Sequence, residues 1–350
     1  MLSGKSRIKY GKEANELHPV GMEYRKLGQT DLRPSVLSFG CNRLATMSGD
    51  AREVETTLLE AFERGINFFD TADCYNQGDS ERVLGQVFQG KRDRVLICSK
   101  AGKTIGPLQR LRPKVMPLAK RIMRRWSSSR TVAASLAGQF HAQNFRPDYI
   151  EKAIGLSLSR LKTDYLDLFL LHGPGVSALS EDVLFDRLDH LRQRGMIRHY
   201  GVSFEDSISS QELVLGLARP GVAALQVAVD PYRPSTIEEV EKQMSDNAVG
   251  LIGRAPFARG ALFQDERDLV ALSQSISATP AQAAIRLAMQ LNPRGTVLIG
   301  MSNRQHLREN LRALELSPFS DEKLLALKSL QRDGANSGRP HQTGSESHNP

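Results

Sequence analysis

Short apolar runs rich in Val, Ile, Leu and Phe recur along the chain, at residues 36–40, 68–72, 95–100, 166–172, 197–203, 225–229, 250–255 and 296–301. Several are apolar at successive positions, as in Leu166-Asp-Leu-Phe-Leu-Leu171. A parallel strand covered on both faces reads this way, because its alternating side chains all point into protein. Between the runs the apolar period lengthens to that of a helix. Residues 52–64 put Val54, Leu58, Ala61 and Phe62 on one face, and 150–160, 181–194, 207–218, 237–245, 280–290 and 303–314 repeat the pattern. Pro280 follows Thr279, a pairing that suits the first turn of a helix and its cap. Eight strands alternating with helical stretches predict a closed α/β barrel of the (β/α)8 TIM type. An open doubly wound sheet would need a glycine-rich phosphate turn after its first strand, and Gly40-Cys-Asn-Arg-Leu-Ala45 is not one. Ahead of the first strand, residues 22–27 and 32–37 flank Gly28-Gln-Thr-Asp31, which predicts a β-hairpin placed to plug the barrel bottom.

The length of 350 residues suits one such barrel with additions, and 40% hydrophobic residues suffice for a large core. We assign residues 22–331 to the barrel and read 1–21 and 332–350, both polar, as disordered extensions. The first residues lack the apolar core of a secretory signal, and no apolar run approaches the roughly 18 residues that cross a bilayer. Cys41, Cys74 and Cys98 are an odd set without metal-type spacing, as expected of reduced thiols in a cytoplasmic protein that holds no metal. The net charge of +8 is local: ten Lys and Arg and no acid lie from Lys103 to Arg146, leaving 37 basic against 39 acidic residues elsewhere. The basic balance therefore gives no reason to expect nucleic-acid binding by the fold as a whole.

Active sites of (β/α)8 barrels gather at the C-terminal ends of the strands. The polar residues ending strands here are Asp70, Lys100 and His172, with Tyr75 five residues beyond Asp70. A charge at the end of an apolar strand is costly unless paired, and residues at neighbouring strand ends can satisfy one another. A lysine ammonium beside a phenol stabilises tyrosinate, a carboxylate keeps that lysine charged, and an imidazole can hold a substrate oxygen. Taken singly, each of the four reads as a barrel-rim hydrogen-bonding residue. Taken together, they read as the apparatus for protonating an oxygen while carbon accepts a hydride from a cofactor.

Two segments carry a specific resemblance. Phe69-Asp-Thr-Ala-Asp-Cys-Tyr75, followed by Asp79-Ser-Glu-Arg-Val-Leu-Gly85, and Leu161-Lys-Thr-Asp-Tyr-Leu-Asp-Leu-Phe-Leu-Leu-His172 resemble the two signatures of the aldo-keto reductases. The similarity runs from about Tyr24 to Leu330 with one insertion. It implies an oxidoreductase that reduces an aldehyde or ketone with NADPH, or alternatively NADH, through a tetrad of Asp70, Tyr75, Lys100 and His172. It further implies cofactor contacts at Gly40, Ser203, Gln226, Arg254, Gly300, Ser302, Arg304, His306, Glu309 and Asn310. Ser203 and Gln226 suit a carboxamide, and Ser302, Arg304 and the following helix N-terminus suit a phosphate. Phe204 stands where the family usually has Asn, and Arg254 where an aromatic ring often stacks. The alternative function is a regulatory subunit that holds the cofactor and turns over little.

Between Lys100 and Pro147 lie 46 residues, against about 2–6 for an ordinary strand–helix connection. Within them Leu118, Ile122 and Trp126 recur at helical spacing, opposite Lys120, Arg121, Arg124 and Arg125. Three readings follow: a surface helix with a solvated basic face, a lid selecting anionic or bulky substrates, or contact of residues 103–130 with an anionic membrane or acidic partner.

Overall fold

The structure is a computed structural model that describes residues 21–42, 44, 51–105, 141–229, 239–240, 242–244, 248–258, 270, 273–301 and 303–324. The polar termini, the helix predicted around Trp126, and Ser302 lie outside these residues, and so does part of the helix predicted at 237–245.

In chain order the strands are β1 (Leu37–Gly40), β2 (Phe68–Asp70), β3 (Leu96–Ala101), β4 (Lys103–Ile105), β5 (His141–Gln143), β6 (Leu166–His172), β7 (Ile197–Ser203), β8 (Val222–Ala228), β9 (Gly250–Arg254) and β10 (Thr296–Ile299). All but β4 and β5 form one closed parallel barrel, ordered β1-β10-β9-β8-β7-β6-β3-β2. The chain is a (β/α)8 TIM barrel. Strands β4 and β5 pair antiparallel as a separate ribbon at the root of the insertion.

The period of two along each strand sorts the core into two layers. Phe68, Cys98, Leu168, Leu170, Ala224, Ile252 and Leu298 pack together inside the barrel. Their neighbours Phe69, Ile97, Phe169, Leu171, Leu225, Leu251 and Val297 join the second cluster, between strands and helices. Both faces of β6 are therefore buried, which accounts for its unbroken apolar run. The plug at the bottom is built by the segment before β1. Tyr24 bridges antiparallel to Ser35, and the Leu27 amide donates to the Leu32 carbonyl at 3.0 Å. Leu27 and Leu32 enter the inner layer with exposures of 0% and 1%. Gly28 (φ +54°) lies against the Gly250 backbone at the start of β9, where a side chain has no room.

The helices are α1 (Ala51–Glu63), α2 (Asp79–Val87), α3 (Pro147–Leu161), α4 (Val176–Leu179), α5 (Asp182–Gln193), α6 (Ser210–Ala218), α7 (Pro280–Leu291) and α8 (Arg304–Leu311). Thr279 caps α7 through a reciprocal capping box with Gln282, and Pro280 opens it. Helix α2 was not among the predicted helical stretches. Its inner face is made partly of Ser80, Glu81 and Gly85, so it lacks a continuous apolar stripe. Gly85 faces the backbone of Arg160 and Leu161 at the end of α3, and a Cβ there would collide with it. That close approach explains a residue with poor helix propensity inside a helix.

Candidate active site

Strand alternation delivers the candidate residues to one place. Gly40 pairs with Asp70, which pairs with Cys98; Lys100 pairs with Leu170; His172, Ser203 and Gln226 are successive partners across β6, β7 and β8. Asp70 lies two positions after Phe68, Lys100 two after Cys98, His172 two after Leu170, Gln226 two after Ala224 and Arg254 two after Ile252. Each therefore shares the inward parity of a residue in the inner layer. Together they form the next layer up, at the C-terminal mouth.

The centre of that layer is polar and dry. The Lys100 Nζ donates to Asp70 Oδ2 at 2.6 Å and to the Thr71 carbonyl at 2.7 Å. Gln226 Nε2 donates to Asp70 Oδ1 at 2.9 Å, and Ser203 Oγ donates to Gln226 Oε1 at 2.7 Å. Asp70, Lys100, Ser203 and Gln226 are each no more than 4% exposed. Removing both charges from water costs several kcal/mol per ion, so the pair persists only with this full set of partners. Burial by itself would push the Lys100 ammonium towards neutrality. Asp70, then Tyr75, more than reverse this and raise its pKa, so Lys100 remains a cation.

Tyr75 opens a 3₁₀ turn, Tyr75–Gly78, in which Asn76 and Gln77 adopt left-handed backbone (φ 50° and 59°). The Lys100 Nζ lies 5.1 Å from the centre of the Tyr75 ring, and the His172 ring stands nearly perpendicular to it at 5.9 Å and 84°. The expectation that Lys100 makes the phenol more acidic needs a correction. Lys100 does pull the phenol down, but burial pushes it up harder, and the result is about 12. Tyr75 therefore holds its proton firmly at neutral pH.

Several residues around the cluster were not singled out in the sequence. Asp73 Oδ1 is buried with no hydrogen-bond partner, and burial, with Glu81 nearby, raises that carboxyl to about 7. Glu81 is fully buried in α2, accepting from Ser99 Oγ at 2.6 Å and from Arg160 Nε at 2.5 Å. Cys74 Sγ lies 3.8 Å from His172 Nδ1. Glu81 lies in a helix, and Asp73 and Cys74 lie in the loop after β2, so none of the three ends a strand.

The candidate cofactor residues fall into two groups. Around the central cluster, Arg254 is not a free cation: it donates to Asp206 Oδ1 at 2.6 Å and to the Phe204 carbonyl at 2.7 Å. Asp206 thus offsets the positive charge at that position. Around α8, Asn303 caps the helix by accepting from the His306 amide at 2.8 Å. The amide and Nε of Arg304 both face Glu53 of α1 at 3.5 Å, an acidic neighbour with no sequence signal of its own. Arg304 and His306 are exposed, Glu309 is partly buried, with its carbonyl accepting from Gln282 Nε2, and Asn310 is buried. Gly40 faces the backbone of Ile299 and Gly300 at 3.6–3.7 Å, whereas a side chain at Gly300 would point into open space. This second group belongs to the β10–α8 edge and makes none of the bonds that join Asp70, Lys100, Ser203 and Gln226.

The root of the insertion is fastened to the same rim. Lys103 forms an ion pair with Glu205, and Gln143 Nε2 donates to the Gly173 carbonyl at 2.7 Å. Gln143 and Glu205 help line a cavity of about 600 Å³ whose walls include Gly173, directly after His172, and Phe204, directly after Ser203. Among the described residues there is no cluster of metal ligands, and no helix is long and apolar enough to cross a membrane.

A polar layer at the C-terminal mouth of an eight-stranded parallel barrel defines the class: a TIM-barrel protein with an enzyme-like site. Residues 36–332 match the sequence profile of the Aldo/keto reductase family. The chain belongs to that family of oxidoreductases. It is 28% identical to the uncharacterised oxidoreductase YqkF of Bacillus subtilis, over 88% of this chain and 96% of that protein. Aldo-keto reductase AKR11C1 of Bacillus halodurans, in its holo form, superposes with a TM-score of 0.66 at 25% identity, covering 88% and 96% of the two chains. An aldo/keto reductase of Klebsiella pneumoniae, solved with NADP and acetate, shares the fold with a TM-score of 0.66 at 21% identity, covering 92% and 97%.

Proposed function

We propose that the chain reduces an aldehyde or ketone to an alcohol with NADPH, with Tyr75 as the proton donor and Lys100, Asp70 and His172 as its assistants. The observation that carries the reading is the buried Lys100 ammonium, held by Asp70 and Thr71 and 5.1 Å from the centre of the Tyr75 ring. Bound NADPH would supply the hydride. With burial raising its pKa to about 12, Tyr75 keeps its proton until an oxygen with developing negative charge can take it. Lys100 then stabilises the tyrosinate left behind, in a dry site where its charge acts strongly. Asp70 keeps that ammonium charged, and His172, packed edge-on against Tyr75, orients the substrate oxygen.

The donor set fits a nicotinamide cofactor. Ser203 and Gln226 offer a hydroxyl and an amide to a carboxamide, and both retain hydrogen-bonding capacity beyond the bonds they make to each other and to Asp70. Arg304 and the start of α8 suit the adenosine phosphate, the anion taking over from Glu53. Asp206 relieves the repulsion that Arg254 would exert on an oxidised nicotinamide. The Klebsiella neighbour was solved with NADP, which accords with this choice.

The test is loss of reduced-cofactor absorbance with purified protein, NADPH or NADH, and a panel of aldehydes and ketones. Turnover is expected with NADPH. Tyr75→Phe is expected to reduce kcat by at least about 100-fold with cofactor affinity unchanged. Undiminished turnover in that variant rules out Tyr75 as the acid. Tight cofactor binding without turnover on any carbonyl favours a cofactor-holding regulatory subunit.

A further inference from the structure

Two consecutive residues engage the His172 imidazole. Tyr75 meets its ring edge-on at 84°, and Cys74 brings Sγ to 3.8 Å from Nδ1. We infer that Cys74 is a positioning residue that sets the tautomer of His172. Its thiol donates to Nδ1 and thereby keeps the ring hydrogen on Nε2, the nitrogen that would donate to the substrate oxygen. The inference rests on the role proposed above for His172.

The direction of this bond follows from the chemistry of the two groups. A neutral imidazole has one N–H and one bare nitrogen, and the hydrogen bond at one nitrogen decides the state of the other. A thiol is a weak donor and a weaker acceptor, whereas a bare imidazole nitrogen accepts well. S–H to Nδ1 is therefore the favoured sense. The reverse sense would leave Nε2 bare, able only to accept, and of no use to a carbonyl oxygen. The thiol must also keep its hydrogen. Burial, assisted by Asp73 and opposed by Lys100 and Lys103, raises it to about 12, so it is uncharged at neutral pH.

The test is nitrogen-15 NMR of the full chain labelled at histidine, comparing the native protein with Cys74→Ser and Cys74→Ala. His172 signals are assigned by their loss in His172→Gln. In the native protein Nδ1 is expected to be the unprotonated nitrogen. Cys74→Ser keeps a donor and is expected to preserve that tautomer. Cys74→Ala is expected to mix the tautomers and lower kcat about 3- to 10-fold with cofactor affinity unchanged. A proton on Nδ1 in the native protein, or the same tautomer balance in Cys74→Ala, overturns the inference whether or not carbonyls are reduced. The expected tautomers without turnover on any carbonyl would uphold the thiol–imidazole pair and count against the proposed reaction instead.

Discussion

Gln226 donates to Oδ1 of Asp70 at 2.9 Å, while Oδ2 of the same carboxylate accepts from Lys100 at 2.6 Å. Asp70 thus joins two halves of the site: Ser203 and Gln226, suited to a carboxamide, and Lys100 and Tyr75, suited to proton transfer. Anything that moves Asp70 disturbs both halves at once.

Asp70→Asn would leave the Lys100 ammonium buried without its counter-charge. A stability loss of about 3–5 kcal/mol is expected, read as a lower urea midpoint at unchanged slope. Adding Lys100→Met should restore much of this loss while leaving the protein inactive. A double variant no more stable than Asp70→Asn would show that the unpaired charge is not the cause.

Asp73 titrates near 7 in the folded protein, against an ordinary value near 4 in the unfolded chain. Between those values the native state binds more protons than the unfolded one, so this group makes stability fall as pH rises through the window. Above pH 7 its full destabilisation is felt; below pH 4 there is none. Asp73→Asn should therefore stabilise the protein at pH 8, by up to about 4 kcal/mol, and leave it nearly unchanged at pH 4. Urea titrations at the two pH values give the comparison. An equal effect at both would mean that ionisation of Asp73 is not responsible.

Gly85→Ala puts a methyl group against the backbone of Arg160 and Leu161, where no flexible side chain can yield. A loss of about 1–3 kcal/mol is expected, although alanine is the better helix former. Thermal unfolding provides the readout, and a gain in Tm would show that α2 and α3 have room to separate.

Lys103→Met breaks the ion pair with Glu205, whose side chain is 44% exposed. Pairs of this exposure contribute less than about 1 kcal/mol, so stability should hardly move. Because the pair fastens the insertion root beside the cavity, KM for carbonyl substrates should change while cofactor affinity stays constant. Unchanged KM values across a substrate panel would separate the ribbon from substrate selection.

Much of the candidate site was legible because a charge ending an apolar strand is conspicuous. Asp70, Lys100 and His172 could each be found in that way, and Tyr75 by its place in a motif. Helix α2 escaped because its buried face is built from Ser80, Glu81 and Gly85, which carry no apolar period. The sign of the Tyr75 shift escaped as well. It depends on how completely the phenol is enclosed, and that is a property of the assembled mouth.

The recurrence of short apolar runs between helical stretches by itself determined the eight strands and the barrel, and the two-residue repeat of a strand fixed the inward parity of the residues at its mouth. Only the tertiary structure decided the partners: Arg254 with Asp206, Glu81 with Arg160, Lys103 with Glu205, and Arg304 with Glu53, 251 residues away. Those pairings arise from closing the barrel and laying helices and loops across it. No local period encodes which residues such closure brings together.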